Sequence, residues 1–368
     1  VNAASVAERP HTPIAASALS GELAQIADRA GELDAHPRFP ADGFALLKAA
    51  GVPQLAADRA RCDLAGEAAL IRVVACADAS TARILDGHFN GAERLALLAE
   101  EPLRSEELAQ IGRGELLLGV WGADPAPGEG QPARVLRGSD GGLVLSGVKT
   151  FCSGAGGVQR ALVVARDEQD AKRLAYVDAT RGLTLDRDWY RASGLRASES
   201  HRVEFDQAPV LALLGGADEI VREPWFSRDA VRTAATWAGI ADGILHATIE
   251  LIGARPPADE LRLHAIGKMR VAQSSIDRWL EHALDVLGAA SGGAAVGARA
   301  LAAECRLALS DAARLIAAEA ARVCGSRALI GGSTLDRARR DLDLFLLQHR
   351  LDPKLVELGA GLLAERER

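Results

Sequence analysis

Aromatic side chains are scarce in this chain: Trp, Tyr and Phe together make up 4% of its 368 residues. A core built on stacked rings is therefore excluded. The interior must be made from Ala, Leu, Val and Ile, and Ala-rich interiors favour closely packed helices, because Ala has the highest helix propensity and a small side chain. Cysteines are few as well. Cys62, Cys76, Cys152, Cys305 and Cys324 are odd in number, widely spaced and without a CxxC pair. That excludes a disulfide framework and points to a reducing, cytoplasmic setting. No cluster of Lys and Arg stands out, and the net charge is −7. A nucleic-acid partner, which needs a basic face to displace counterions, is not expected. Long apolar runs are missing too. The first 20 residues lack an apolar signal core, and the stretch from Ile240 to Ile252 is broken by Asp242, His246 and Glu250. Neither a signal peptide nor a membrane span is expected. His36, His88, His201, His246 and His264 show no ligand spacing such as HExxH, so no metal is expected.

What is present is ordinary globular composition, 48% hydrophobic and 25% charged, in a chain long enough for two or three structural units. Its texture changes twice. Gly21 to Arg113 reads as helical, with Leu23, Ile26, Ala27 and Ala30 at helical spacing, a helix from about Ala65 to Ser80 and another near Ala92 to Ala99. From Glu115 onward come short runs of strand length: Glu115–Val120, Leu143–Val148, Ala161–Ala165, Leu174–Val177, Leu183–Leu185 and Val203–Phe205. Turns such as Asp140-Gly-Gly142 separate them. After Pro224 the helical period returns in four segments, Ala230–Gly253, Ala258–Leu287, Val296–Cys324 and one beginning at Leu335. The expected architecture is α+β and multi-domain. It has an N-terminal helical domain (1–113), a middle β-barrel domain (114–214) and a C-terminal antiparallel four-helix bundle (215–368).

Two motifs in the middle unit carry most of the information. Lys149-Thr-Phe-Cys-Ser-Gly-Ala155 is followed by Gly194-Leu-Arg-Ala-Ser-Glu-Ser200 and the strand Val203-Glu-Phe-Asp206. Taken alone, Ser153-Gly154 is a turn signal. Together with the helix–strand–helix order, these segments resemble the flavin-binding β-domain of the acyl-CoA dehydrogenase superfamily. The resemblance implies a flavin ring between the β-domain and the C-terminal bundle. Phe151 would lie against the ring and the Ser153 hydroxyl would sit near flavin N5. The strand end Val120-Trp121-Gly122-Ala123 would meet the pyrimidine side through its backbone. The cofactor implied is FAD, or reduced FMN or FAD used as a co-substrate. A homodimer or homotetramer is implied, along with a redox partner, either an electron-transfer flavoprotein or a flavin reductase.

The departures matter as much. The pair Arg340-Asp341 resembles one that precedes the family's catalytic Glu. Counting on without gaps, however, puts His349 at the carboxylate position. Some relatives carry the base on the first bundle helix, where Asp229 stands; an acidic residue in a first helical turn also complements the helix dipole. The segment that would hold the cofactor's pyrophosphate and adenosine reads Arg255-Pro-Pro-Ala-Asp259, without the usual Phe-Gly, and the expected Gln-x-x-Gly-Gly is replaced around Cys324-Gly-Ser326.

Three functions follow from the resemblance. The first is α,β-dehydrogenation of an acyl-CoA thioester with hydride transfer to N5, using Asp229 or His349 as base. The alternative is a monooxygenase of the same fold, similar to the dibenzothiophene monooxygenases. Such an enzyme takes reduced flavin from a reductase, needs no α-proton base and acts on a small molecule. The second alternative is a non-catalytic relative.

Overall fold

The computed structural model describes residues 14–58, 61–254, 259–290 and 297–366. Five helices come first: α1 (Ser20–Ala35), α2 (Ala41–Ala49), α3 (Leu64–Ala77), α4 (Ala79–Leu98) and α5 (Leu103–Gly112). The single helix read from Ala65 to Ser80 is in fact two elements meeting at Asp78. That residue is extended (φ −152, ψ 116), and its carboxylate accepts both the amide and the hydroxyl of Thr81 at 2.7 Å. An Asp that satisfies the orphan donors of a following helix also ends the preceding one. The helix expected at Ala92–Ala99 is the last part of the 20-residue α4.

Seven strands follow: β1 (Leu118–Trp121), β2 (Arg134–Arg137), β3 (Leu143–Cys152), β4 (Arg160–Arg166), β5 (Lys172–Asp178), β6 (Leu183–Asp186) and β7 (His201–Leu213). Pairings β4–β2, β2–β3, β3–β7, β7–β5 and β5–β4 close on themselves into a five-stranded barrel-like sheet. β1 extends it parallel to β4, and β6 pairs with β7. β7 is long enough to pair with three neighbours because its register shifts near Gln207 (φ 50), where the strand bends.

The last third is helical: α6 (Trp225–Gly253), α7 (Glu260–Ala289), α8 (Ala298–Cys324), α9 (Thr334–Leu347) and α10 (Asp352–Arg366). α6 is the hub. It packs on α7, α8 and α9, and also on α3 and α4 of the first helical set. It can approach α3 closely because Gly239 faces the carbonyl of Arg72, where a Cβ would overlap backbone. One contiguous core runs through all three parts, from Phe44 through Leu145 and Trp237 to Phe345.

The interface of α4 with α6 is unusually polar. Arg232, fully buried, meets Glu67 at 2.7 Å and Glu93 at 2.7 Å, and Arg228 reaches Glu93 at 3.0 Å. Such a network holds two helices in one relative setting, because removing any partner leaves a buried charge uncompensated.

Candidate functional site

The two motifs of the β-domain meet in space. The Gly154 amide donates to the Ser198 carbonyl (2.8 Å) and the Ala155 amide to that of Glu199 (3.2 Å). Behind this junction lies a chain of hydroxyls: Ser153 Oγ is 2.8 Å from Ser200 Oγ, which is 2.7 Å from Ser198 Oγ. Trp121 is wholly buried, and its indole N–H donates to the Ser153 carbonyl at 3.1 Å. Trp121 therefore holds the turn from inside the barrel with its side chain. Three residues here take left-handed backbone angles without being glycine, namely Phe151 (φ 52), Leu195 (φ 49) and Glu199 (φ 47). Such conformations persist where the surroundings over-determine them, as at ligand sites.

The strand end after β1 is sewn to the same turn. Thr150 and Ala123 form an antiparallel bridge, with the Thr150 amide donating to the Ala123 carbonyl at 3.0 Å. Lys149 is buried beneath it, its ammonium donating to the Gly122 carbonyl (2.9 Å) and to Asp124 (2.7 Å). Burial pulls the Lys149 ammonium below its usual range, opposed by Asp124. Val120 is half-buried, and Gly87 of α4 lies against its amide. The result is an exposed edge on a rigid base. Ala123 is exposed and the Phe151 ring is 41% exposed, while their neighbours Trp121 and Cys152 are fully buried. A planar ring laid along this edge would cover those two residues without displacing core, so the edge fits a flavin.

Phe151 does not stand alone. Trp189 meets it edge-on at 5.0 Å between centroids and Tyr190 at 6.4 Å, and Trp189 is held by Glu129 through its N–H (3.0 Å). In so aromatic-poor a chain, the Trp189-Tyr190 pair was the available sequence signal for this wall. Burial raises the Tyr190 phenol, with Ser198 and Ser200 working against the rise. Beside it, a cleft of about 970 Å³ opens between α1, the segment from Arg187 to His201 and the start of α9; Arg187, Arg191 and Arg196 line it.

The pair Arg340-Asp341 serves docking. Arg340 grips Asp34 of α1 and the Ser193 carbonyl, and Asp341 accepts the Leu195 amide at 2.6 Å. Gly194 sits flush on the α9 backbone, leaving no room for a Cβ. Burial pushes the Asp341 carboxyl up to about 7.

Asp229 lies in the α4–α6 charge network, away from Ser153's turn. Its carboxylate meets Arg94 at 2.6 Å and Arg232 at 3.4 Å. Burial raises it to about 6, against the pull of both guanidiniums. His349 follows α9, with its ring against Trp237 (5.3 Å) and Phe345 (5.4 Å), and its Nε2 is buried without a partner. Burial, reinforced by Arg306 and Arg83, holds its pKa well below the ordinary histidine range, so it is neutral at pH 7. Arg83 of α4 and Arg306 of α8 act on it, and Arg83 is held by Asp86 of α4, which also accepts from Thr233 of α6. Sequence reading did not single out any of these four, whose elements only folding brings together. Ile84, next to Arg83, packs on Gly154, which ties this cluster to the Phe151–Ser153 turn. Arg255 lies outside the described residues. His88 is structural: it accepts the Leu118 amide at Nδ1 (3.2 Å) and meets the Pro53 carbonyl through Nε2 (2.9 Å).

No family model matches the chain. Among curated proteins, dibenzothiophene monooxygenase of Rhodococcus erythropolis is 29% identical over 153 residues, a match that covers 38% of this chain and only 35% of that protein. Solved structures align over nearly the whole chain. FMN-bound TdsC from Paenibacillus sp. A11-2 has a TM-score of 0.86 at 18% identity, covering 95% of this chain and 97% of its own. KijD3, in complex with FMN and a dTDP-linked amino sugar, has 0.86 at 22%, covering 97% and 95%. Methanesulfinate monooxygenase MsuC from Pseudomonas fluorescens has 0.82 at 23%, covering 94% and 95%. At these identities the likeness is one of fold: this chain folds as TdsC, KijD3 and MsuC do.

Proposed function

We propose that this protein is a flavin-dependent monooxygenase that uses reduced FMN, delivered by a reductase, to oxygenate a small molecule. The observation that carries the reading is the state of the carboxylates. Dehydrogenation needs a free base beside the ring to take an α-proton. Asp229 is engaged by Arg94 and Arg232, and Asp341 is occupied by the Leu195 amide. The position where the sequence comparison expects the carboxylate holds a buried, neutral imidazole, His349, instead. TdsC and KijD3, whose folds align with this one, hold FMN, and the adenosine-side motifs of the sequence are altered, so FMN is favoured over FAD.

Bound reduced flavin would supply the electrons that activate oxygen. The chain's own residues do the rest. The backbone at Ala123 and the hydroxyl of Ser153 would hold the ring's polar edge, with Phe151 against its face. Ser200 and Ser198 fix the position of the Ser153 hydroxyl oxygen. Arg196 meets no carboxylate among the described residues and lines the adjoining cleft, which makes it the candidate partner for the FMN phosphate. Trp237 and Phe345 keep water from His349, whose Nε2 is free to donate or accept one hydrogen bond at the reacting centre.

Mixing the protein with photoreduced FMN and then with oxygen should give flavin reoxidation measurably slower than that of free FMN. His349→Ala should restore the fast rate while FMN affinity changes less than about threefold, since the imidazole acts on the reaction rather than on flavin docking. Reoxidation at the free-FMN rate in the unaltered protein would count against the reading, as would anaerobic bleaching of bound flavin by an acyl-CoA.

A further inference from the structure

Most deeply buried arginines in this protein meet a carboxylate. Arg72 has Asp242 and Asp277, Arg94 has Asp229, Arg228 has Glu93, and Arg232 has Glu67 and Glu93. Arg306 has none. Its Nε and Nη2 are both buried without an acceptor, and its guanidinium lies 5.1 Å above the Trp237 ring. The carboxylate that acts on it is Asp86, whose oxygens are already taken by Arg83 (2.7 Å), Asn90 (3.0 Å) and the Thr233 hydroxyl (3.1 Å). Stacking on an indole offsets only part of the cost of burying an unpaired cation. Burial lowers the Arg306 pKa to about 10, which leaves it charged at neutral pH.

The two free nitrogens are informative in themselves. Nε and Nη2 form the side of the guanidinium fork whose parallel N–H bonds match the two oxygens of a carboxylate or a sulfur oxoacid. His349 Nε2, also unpartnered, shares Trp237 as a neighbour and supplies a further donor. Local charge fixes the valence. Arg83 and Asp86 cancel, which leaves one positive charge for one negative charge. The rings of Trp237 and Phe345, 6.1 Å apart and edge to face, make the remaining wall apolar.

The geometry points to a substrate that is an organic monoanion, a carboxylate or sulfur oxoacid on an apolar body, gripped side-on by Arg306 with His349 beside it. This rests on the reading of the crevice as the substrate side of a flavin site, and it names the substrate class that site would take. A phosphate dianion is disfavoured because Arg83, the other guanidinium acting on His349, is already cancelled by Asp86.

The test uses the full chain with and without FMN, and titrates benzoate and benzenesulfonate against the neutral benzamide and benzenesulfonamide and the dianion phenyl phosphate. The expected result is that the monoanions bind at least tenfold more tightly than their neutral counterparts and than phenyl phosphate. Arg306→Met should abolish that preference and, without ligand, raise the melting temperature, because an unpaired buried charge is removed; FMN affinity should stay within threefold. Arg306→Lys should keep part of the preference. Equal binding of neutral and anionic probes, no binding of any probe, or an Arg306→Met protein that keeps the preference would overturn the proposal. So would an Arg306→Met protein that melts lower and loses FMN, since that marks a structural arginine. The two readings separate cleanly. FMN binding without anion preference sinks only this inference, and anion preference without FMN binding sinks only the flavin reading.

Discussion

Asp341 shows how one residue couples docking to pH. Its carboxylate is buried beside Asp34 and Asp78, accepts the Leu195 amide, and titrates near 7 instead of its ordinary 3.8. The folded chain therefore keeps this proton to about pH 7, whereas the unfolded chain releases it near 3.8. The stabilisation is complete below about pH 4 and is lost as pH rises through 7. The displacement corresponds to at most about 4 kcal/mol. Asp341→Asn keeps an oxygen for the Leu195 amide and removes the titration. In urea melts at pH 5 and pH 8, the unaltered protein should lose roughly 2–4 kcal/mol more than the variant between the two; an identical pH dependence would refute the assignment. Asp341 and Arg340 were visible in the sequence as a pair, but their task was not, because what they grip lies on α1 and in the 193–195 loop. Phe151 and Ser153 were legible because turn chemistry is local. Trp189, Arg83 and Arg306 were not, because their contacts cross between elements.

At the scale of elements, helix periods were read well wherever one face is buried, as in α7 and α8. They blurred in α4, which is buried on nearly every side and carries polar residues inward. The second half of β7 was missed because Pro209 disqualifies a strand by ordinary rules, and β2 is only four residues long. Where α6 crosses α3, two local effects oppose each other. Gly239→Ala should favour the helix by about 1 kcal/mol on propensity. The new methyl would overlap the Arg72 carbonyl and lie 2.7 Å from the Ala75 Cβ. Backbone cannot yield as a side-chain tip can, and overpacking costs about 1–3 kcal/mol or more. The net outcome is destabilisation, read as a lower melting temperature; an unchanged or raised one would show that the two helices can part without loss.

For the whole molecule, the helical third leaves large apolar side chains in water. Leu261, Leu263, Val271 and Val286 of α7 and Leu355, Val356, Leu362 and Leu363 of α10 are all exposed. Burial against sister chains is the expected use of such surfaces. Light scattering should give a mass of two or four times 38.6 kDa; a single-chain mass at micromolar concentration would count against assembly. Among the described residues no helix is long and apolar enough to cross a membrane.

The sequence by itself determined the order of helices, strands and helices, the Phe-Cys-Ser turn and the absence of a carboxylate where His349 stands. Each of these is written in spacing, propensity or turn chemistry, which act between residues near one another in the chain. Tertiary structure alone decided which charges are matched. It tied Asp229 to Arg94, gave Asp341 to a backbone amide, closed the barrel through β2, and left Arg306 unpaired beside a neutral imidazole. Charge pairing depends on which faces of distant elements meet, and only the packing of α4, α6, α8 and α9 fixes that.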